Sequence, residues 1–338
     1  MSSKQSRMAE KLARIVSGNY RPQDFIIADA KDGDMGGGAD AIGLEERSLD
    51  GLGNVQMAAP MKYYRDAMKE MVDSNLVDIM LMSLSSAEAL VQEGIFANSK
   101  ITPAVRLNDA TDIWGYRGAS YREKPSIAFN TAKIESALKY SKLGLYSITF
   151  YNDLEKDVEN LNAYAQFRDS ISGTEMDHFL EVFNPAFAIN TGDVDIGTYI
   201  NDSIVRCLAG LERLERPLFL KIQYNGARAM AELAEFDPTN LVVGILGGGA
   251  GTTRDTFELI EQASRFGARV ALFGRKIYKA EDSVEIVKLM RHIVEGDLSA
   301  EEGVKLYHQN LAKKSILPNR SLETDLEITD QVLLAEAK

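Results

Sequence analysis

With Cys207 as its single cysteine, the chain can form no internal disulfide framework, and its composition fits a reducing compartment. That cysteine also falls on an apolar stripe, Ile200, Ile204, Cys207, Leu208 and Leu211, which gives it a place in the core rather than a nucleophile's role. Histidine is nearly as scarce. His178, His292 and His308 are scattered, with no HExxH and no Cys/His cluster, so a zinc-dependent reaction lacks its usual ligands. The acidic pair Asp32 and Asp34 reads as a solvated loop rather than a Mg²⁺ site. No stretch is long and apolar enough to span a membrane. The opening MSSKQSRMAEKLARIVSG has charges throughout and no unbroken apolar run, unlike a secretory signal; Met8, Leu12 and Ile15 give it the spacing of a short amphipathic helix. Basic residues are outnumbered, 38 Lys and Arg against 50 Asp and Glu, and the formal net charge of −12 argues against a nucleic-acid partner. These absences point to a cytoplasmic protein that needs no metal or cofactor, touches neither nucleic acid nor membrane, and works on a small molecule.

What the chain does have is alternation. Eight short runs rich in Val, Ile, Leu and Phe occur in series: FIIADAK (25–31), VDIMLMS (77–83), ITPAVRLND (101–109), GLYSITFYND (144–153), HFLEVFNP (178–185), PLFLKIQYN (217–225), NLVVGILGGG (240–249) and ARVALFGRK (268–276). They are nearly continuous in hydrophobicity, as strands buried on both faces of a parallel sheet are. Helical patterns lie between them. SSAEALVQEGIF starts with a capping pattern from Ser85 to Glu88, and GTTRDTFELIEQASRFG with one from Thr252 to Asp255; DSVEIVKLMRHIVEG stops at Gly296. Eight strand–helix units in series predict a single-domain (β/α)₈ TIM barrel over residues 1–312, including the N-terminal helix. An open doubly wound sheet is the competing arrangement. Two βα loops are extended: the Gly- and Asp-rich segment after strand one suits a mobile loop at the barrel mouth, and ATDIWGYRGASYREKPSIAFN after strand three suits a substrate lid or a subunit contact. The polar tail, 313–338, is expected to be an arm or disordered.

In such a barrel the functional groups belong at the C-terminal ends of the strands. Lys221 sits in FLKIQYNG, on one strand face with Phe219 and Gln223. Pointing inward, it would lose hydration and favour the neutral amine that attacks a carbonyl; pointing outward, it would merely extend its head to water. Other strand ends are polar too. Asp29 and Lys31 share a face at the end of strand one, Arg106 and Asn108 end strand three, Tyr151 ends strand four, and Glu181 sits in an apolar setting suited to proton transfer. The glycines of GILGGGAGTT, Gly247, Gly248 and Gly249, leave backbone N–H groups unshielded before a helix N-terminus, and strand eight follows with Gly274 and Arg275 in FGRK. Together these make an anion site where phosphate sites of this fold usually sit. Neither GxGxxG nor a Walker pattern is met.

A lysine on strand six, a Gly-rich turn after strand seven and GR after strand eight resemble the class I (Schiff-base) aldolase superfamily of the DeoC/LacD/DhnA type, which includes tagatose-bisphosphate and archaeal-type fructose-bisphosphate aldolases. The resemblance runs from strand one to strand eight and is most specific from FLEVFNP through LFGRKIYKAEDSVEIVKLMRHI. It implies that Lys221 forms the Schiff base, Glu181 moves protons, Asp29 binds near the carbonyl, and Gly247–Gly249 with Arg275 hold a phosphate. Tagatose-bisphosphate aldolases carry a further lysine on strand four, where this chain has Ser147, Thr149 and Tyr151, which leaves a second phosphate and the sugar stereochemistry open. The expected activity is aldehyde-lyase cleavage or formation of a phosphorylated sugar or related phosphoketose in carbohydrate metabolism, by a homo-oligomer. The alternatives are a metal-independent phosphosugar isomerase or epimerase using Asp29 and Glu181, or a non-catalytic barrel that binds a phosphometabolite.

Overall fold

The computed structural model describes residues 6–337. Residues 1–5 and 338, the outermost parts of the expected barrel and tail, lie outside that range. Eight parallel strands close on themselves: β1 (Ile26–Lys31), β2 (Ile79–Met82), β3 (Thr102–Arg106), β4 (Leu143–Thr149), β5 (Asp177–Phe183), β6 (Leu220–Ile222), β7 (Gly244–Leu246) and β8 (Val270–Phe273). Closure is made by β1 against β8, Ile26 opposite Val270 through Asp29 opposite Phe273. The barrel is therefore the (β/α)₈ architecture expected from the alternation, not an open sheet.

Continuous hydrophobicity in the strands serves two separate cores. Ile26, Ala28, Leu145, Phe179, Phe219 and Leu272 fill the barrel interior. Ile27, Tyr146, Leu180, Ile222 and Phe273 face outward beneath the helices. The short β6–β8 edge comes close enough that Gly244 is required there: a Cβ would lie 2.5 Å from the Leu220 carbonyl oxygen and 2.8 Å from Val270 Cβ.

The flanking helices are α1 (Arg7–Val16), α2 (Met61–Ser74), α3 (Leu84–Gln92), α4 (Leu154–Ile171), α5 (Ile196–Leu208), α6 (Ala227–Phe236), α7 (Thr253–Arg265), α8 (Ser283–Glu295) and α9 (Ala300–Lys313). Only a one-turn helix, Ile134–Ala137, follows β3. The capping box of α7 and the left-handed Gly296 ending α8 stand where the sequence places them. The start of α3 differs: its N-cap is Ser83, not Ser85, and the Ser83 hydroxyl donates to Asp34 (2.6 Å) instead of capping the helix. Cys207 is buried on α5, and burial pushes its thiol up to about 11, as suits a core residue. Among the described residues no helix is long and apolar enough to cross a membrane.

Both long loops and the tail hold more structure than their composition suggests. The segment after β1 contains an antiparallel hairpin, Leu44–Leu49 with Gly53–Ala58. The segment after β3 pairs Asn108–Asp109 with Phe129–Asn130 and packs Trp114 against Tyr121 and Phe129. The tail is no free arm. It lies along α7, burying Leu333 completely; Asp325 accepts from Thr253 N (2.8 Å) and the Leu333 carbonyl from Gln262 (2.8 Å).

Helix α1 closes the barrel at the end opposite the strand C-termini, inserting Met8 and Ile15 into the interior core. Asp78, fully buried, ties it in place, accepting from Arg7 Nε (2.6 Å), Lys11 Nζ (3.1 Å), Arg291 and Ile27 N (2.9 Å). Burial alone would push this carboxyl up, but the cations of Arg291, Lys11 and Arg7 hold it below the ordinary aspartate value. A carboxyl lowered in the folded state contributes fully above its ordinary value, and the contribution is lost as pH falls through the lowered one. Asp78→Asn leaves three cations facing a neutral amide and is expected to cost about 3–5 kcal/mol at neutral pH. Urea unfolding should show the wild-type and mutant free energies converging as the pH drops from about 5 toward 2.

Candidate active site

The C-terminal mouth of the barrel holds a cavity of about 450 Å³. At its floor, adjacent strands bring Ser147, Glu181 and Lys221 level with one another, Ser147 opposite Glu181 and Glu181 opposite Lys221 in the ladder. Strand alternation sends Phe219 into the interior core and Lys221 and Gln223 to the cavity wall. Lys221 therefore points inward, with its side chain only 6 % exposed, and Nζ lies 2.6 Å from Glu181 Oε1.

The other oxygen of Glu181 meets Arg106. Its guanidinium donates to Glu181 Oε2 (2.6 Å), to Asp32 Oδ2 (2.6 Å) and to Ser147 Oγ (2.7 Å), while Ser147 donates to Glu181 Oε2 (3.0 Å). Burial weakens a guanidinium charge, yet Asp32 and Glu181 outweigh it and hold Arg106 firmly protonated. Asp32 is held below its ordinary value despite burial, because Arg106 and Lys221 both face it. Asp32 and Glu181 both line the cavity, so the floor carries a lysine, two carboxylates and an arginine that fixes them.

Asp32, read from sequence as part of a solvated loop, occupies the mouth position that Asp29 was expected to hold. Asp29 and Lys31 lie on the outer face of β1, since Ala28 and Ala30 face the interior. Fully buried there, Lys31 Nζ bonds both Asp29 oxygens (2.7 and 2.6 Å) and sits over the Tyr278 ring. Gly274 runs so close to Ala30 that a Cβ at 274 would sit 2.6 Å from the Ala30 carbonyl oxygen, so only glycine fits there. Neither Asp29 nor Lys31 reaches the cavity, which corrects their assignment to substrate.

Two further assignments change. Asn108 stitches β4 to the segment after β3: its Oδ1 accepts from Ser147 N (2.7 Å) and its Nδ2 donates to the Ser147 carbonyl (2.8 Å), and it is fully buried and does not line the cavity. Tyr151 donates to Asp112 Oδ2 (2.6 Å), accepts from Ser126 N (2.7 Å) and stacks on Phe187. Burial and Asp112 raise its hydroxyl pKa, so it fastens the segment after β3 rather than moving protons at the floor. Arg106 lines the cavity, but all three of its nitrogens already donate to Asp32, Ser147 and Glu181, which makes it a positioning residue.

Gly247, Gly248, Gly274 and Arg275 all border the cavity; Gly249 does not. Gly248 has a positive φ of 64° with open space where a Cβ would stand. The helix N-terminus beyond the turn is not free: Thr252 N donates to Asp255 and Thr253 N to Asp325, so these carboxylates, not a ligand, meet those groups. Lys276 supports the turn from behind, donating to the Ala250 carbonyl (3.2 Å); burial lowers its ammonium to about 8.

The arrangement defines a barrel with a buried lysine–carboxylate pair at its mouth. Neither the protein-family models nor the sequences of curated proteins match this chain. Solved structures do. It is similar to an archaeal fructose 1,6-bisphosphate aldolase at 14% identity and a TM-score of 0.59, over 86% of this chain and 100% of that one; there the catalytic lysine is covalently bound to the carbinolamine intermediate of the substrate. It is also similar to the fructose-bisphosphate aldolase of Slackia heliotrinireducens at 11% identity, TM-score 0.60, over 92% and 93% of the two chains. A protein of Corynebacterium glutamicum follows at 17% identity and TM-score 0.57, over 86% and 93%. At these identities the likeness establishes the shared barrel.

Arg106→Leu removes the ion pair of Asp32 and leaves Lys221 as the remaining cation beside Glu181, and is expected to destabilise the protein by about 3–5 kcal/mol in urea unfolding. Arg106→Lys should recover less than half of that, because one ammonium cannot span three acceptors as the planar fork does.

Proposed function

We propose that this protein is a class I aldolase in which Lys221 forms a Schiff base with a phosphorylated ketose or ketone. The observation that carries this reading is the buried Lys221–Glu181 contact of 2.6 Å at the floor of the cavity. Glu181 Oε1 takes a proton from the Lys221 ammonium, and the freed amine lone pair attacks the substrate carbonyl carbon. The carbonyl oxygen becomes the hydroxyl of a carbinolamine, leaves as water with a proton returned from Glu181, and an iminium remains. That cation accepts the electron pair of the breaking C–C bond as an enamine, while a base removes the proton of the departing aldehyde's hydroxyl. Asp32, ionised beside Arg106 on the cavity wall, is the carboxylate placed to orient or deprotonate that hydroxyl. The Gly247–Gly248 turn, Gly274 and Arg275 receive the phosphate.

The location of Asp29 outside the cavity counts against the isomerase that would use it with Glu181. A silent binder would have no need of a buried amine held by a carboxylate. The test is borohydride reduction with dihydroxyacetone phosphate and a panel of sugar phosphates, followed by peptide mass spectrometry. A reduced adduct is expected on Lys221 and absent from Lys221→Met; saturable binding with no adduct from any carbonyl ligand overturns the mechanism. In the same assay Glu181→Gln should form the adduct about 10²–10⁴-fold more slowly, the usual contribution of one positioned proton-transfer group.

A further inference from the structure

The segment between β3 and the one-turn helix Ile134–Ala137 brings a second arginine to the cavity. Arg122, in the turn Tyr121–Glu123, lines the same space as Arg275. Its guanidinium lies across Gly115, where a Cβ would come within 3.0 Å of Arg122 Nη2, so the absence of a side chain at 115 gives it room. Gly115 in turn donates to the Gly36 carbonyl (2.8 Å), tying this segment to the loop after β1. Arg122 is thus held over the mouth by both extended loops.

Among the described residues neither the Arg122 nor the Arg275 guanidinium has an ion pair or hydrogen bond within the protein. They are also close enough for repulsion to matter: burial, then Arg122, lowers the guanidinium pKa of Arg275. Lys279 adds a third cation to this wall. Of the acids bordering the cavity, Asp32 and Glu181 are engaged by Arg106, and Asp112, which feels Arg122 only weakly, is pushed up by burial and bonded to Tyr151. Asp40 is the remaining one. Two unpaired guanidiniums beside a Gly-rich turn form a seat for a dianion, in which each arginine can present paired N–H groups.

We propose that Arg122 closes over the Gly247–Gly248 turn and Arg275 as the upper half of a phosphate clamp, so that the chain selects substrates bearing a terminal phosphate monoester. This rests on the reading of the cavity as the substrate site, but not on the chemistry at Lys221. An unphosphorylated ketose would leave the arginines facing each other without a counter-ion, so the same two residues that bind a phosphate monoester also discriminate against neutral sugars.

Inorganic phosphate is the direct probe. Calorimetric titration of the whole chain should show saturable binding, weakened about tenfold or more in Arg122→Gln, as expected for loss of charged hydrogen bonds. Arg122→Lys should recover part of it. Phosphate should also slow tryptic cleavage at the exposed Arg117–Gly118 bond in the wild type and not in Arg122→Gln, a readout that a purely packing role for Arg122 would leave unmoved. Wild-type phosphate affinity in Arg122→Gln, or no saturable binding to the wild type, overturns the clamp. Borohydride trapping is scored separately: an adduct on Lys221 with an unaffected Arg122→Gln removes the clamp alone, whereas a phosphate effect without any adduct removes the Schiff base alone.

Discussion

The guanidinium of Arg106 is the constraint on which the mouth of the barrel depends. Its planar fork reaches Asp32 beyond β1, Ser147 on β4 and Glu181 on β5 from its own place at the end of β3. Without it, two carboxylates would share a poorly hydrated space and one would protonate or swing away. With it, Glu181 is fixed by one oxygen and leaves the other for Lys221. The geometry of the Lys221 amine is thus set indirectly, by a residue that does not touch it.

The two ends of the barrel apply the same physics to different purposes. At the closed end Asp78 gathers three cations around one carboxylate and joins α1, α8 and β2. At the open end the charges alternate, Lys221, Glu181, Arg106 and Asp32, and the whole row borders the cavity. The first cluster is centred on one fully buried carboxylate, whereas the second leaves a lysine, two carboxylates and an arginine bordering a cavity.

The sequence made the architecture legible because each barrel strand is buried on both faces, and runs such as IIADAK and LGLYSIT announce that directly. Lys221 and Glu181 were legible for the same reason, as charged residues inside otherwise apolar strands. Asp29 and Lys31 were not, since a strand buried on both sides gives no sign of which face is the interior. Ala28 and Ala30, which turn out to face the interior, alternate with Asp29 and Lys31 without marking which side is which. Tyr151, Asn108 and Arg106 are all inside the mouth region, but whether a polar side chain meets ligand or protein depends on partners far along the chain: Asp112 and Ser126 for Tyr151, Ser147 for Asn108. Arg122 lay hidden for another reason. It sits in an irregular segment whose path is fixed by contacts such as Gly115 to Gly36, and no periodicity marks such a path.

The tail lying along α7 has a consequence for the order in which the protein is made. Asp325 and Thr329 complete the first turn of α7, directly beyond the Gly-rich turn, and Asp330 adds its charge near Lys276 behind that turn. During synthesis the strands through β8 leave the ribosome before these residues do. A nascent barrel can therefore pair β8 with β1 while the groups that complete the first turn of α7 are still missing, and the Gly-rich turn gains that support only after Asp325 and Thr329 have emerged.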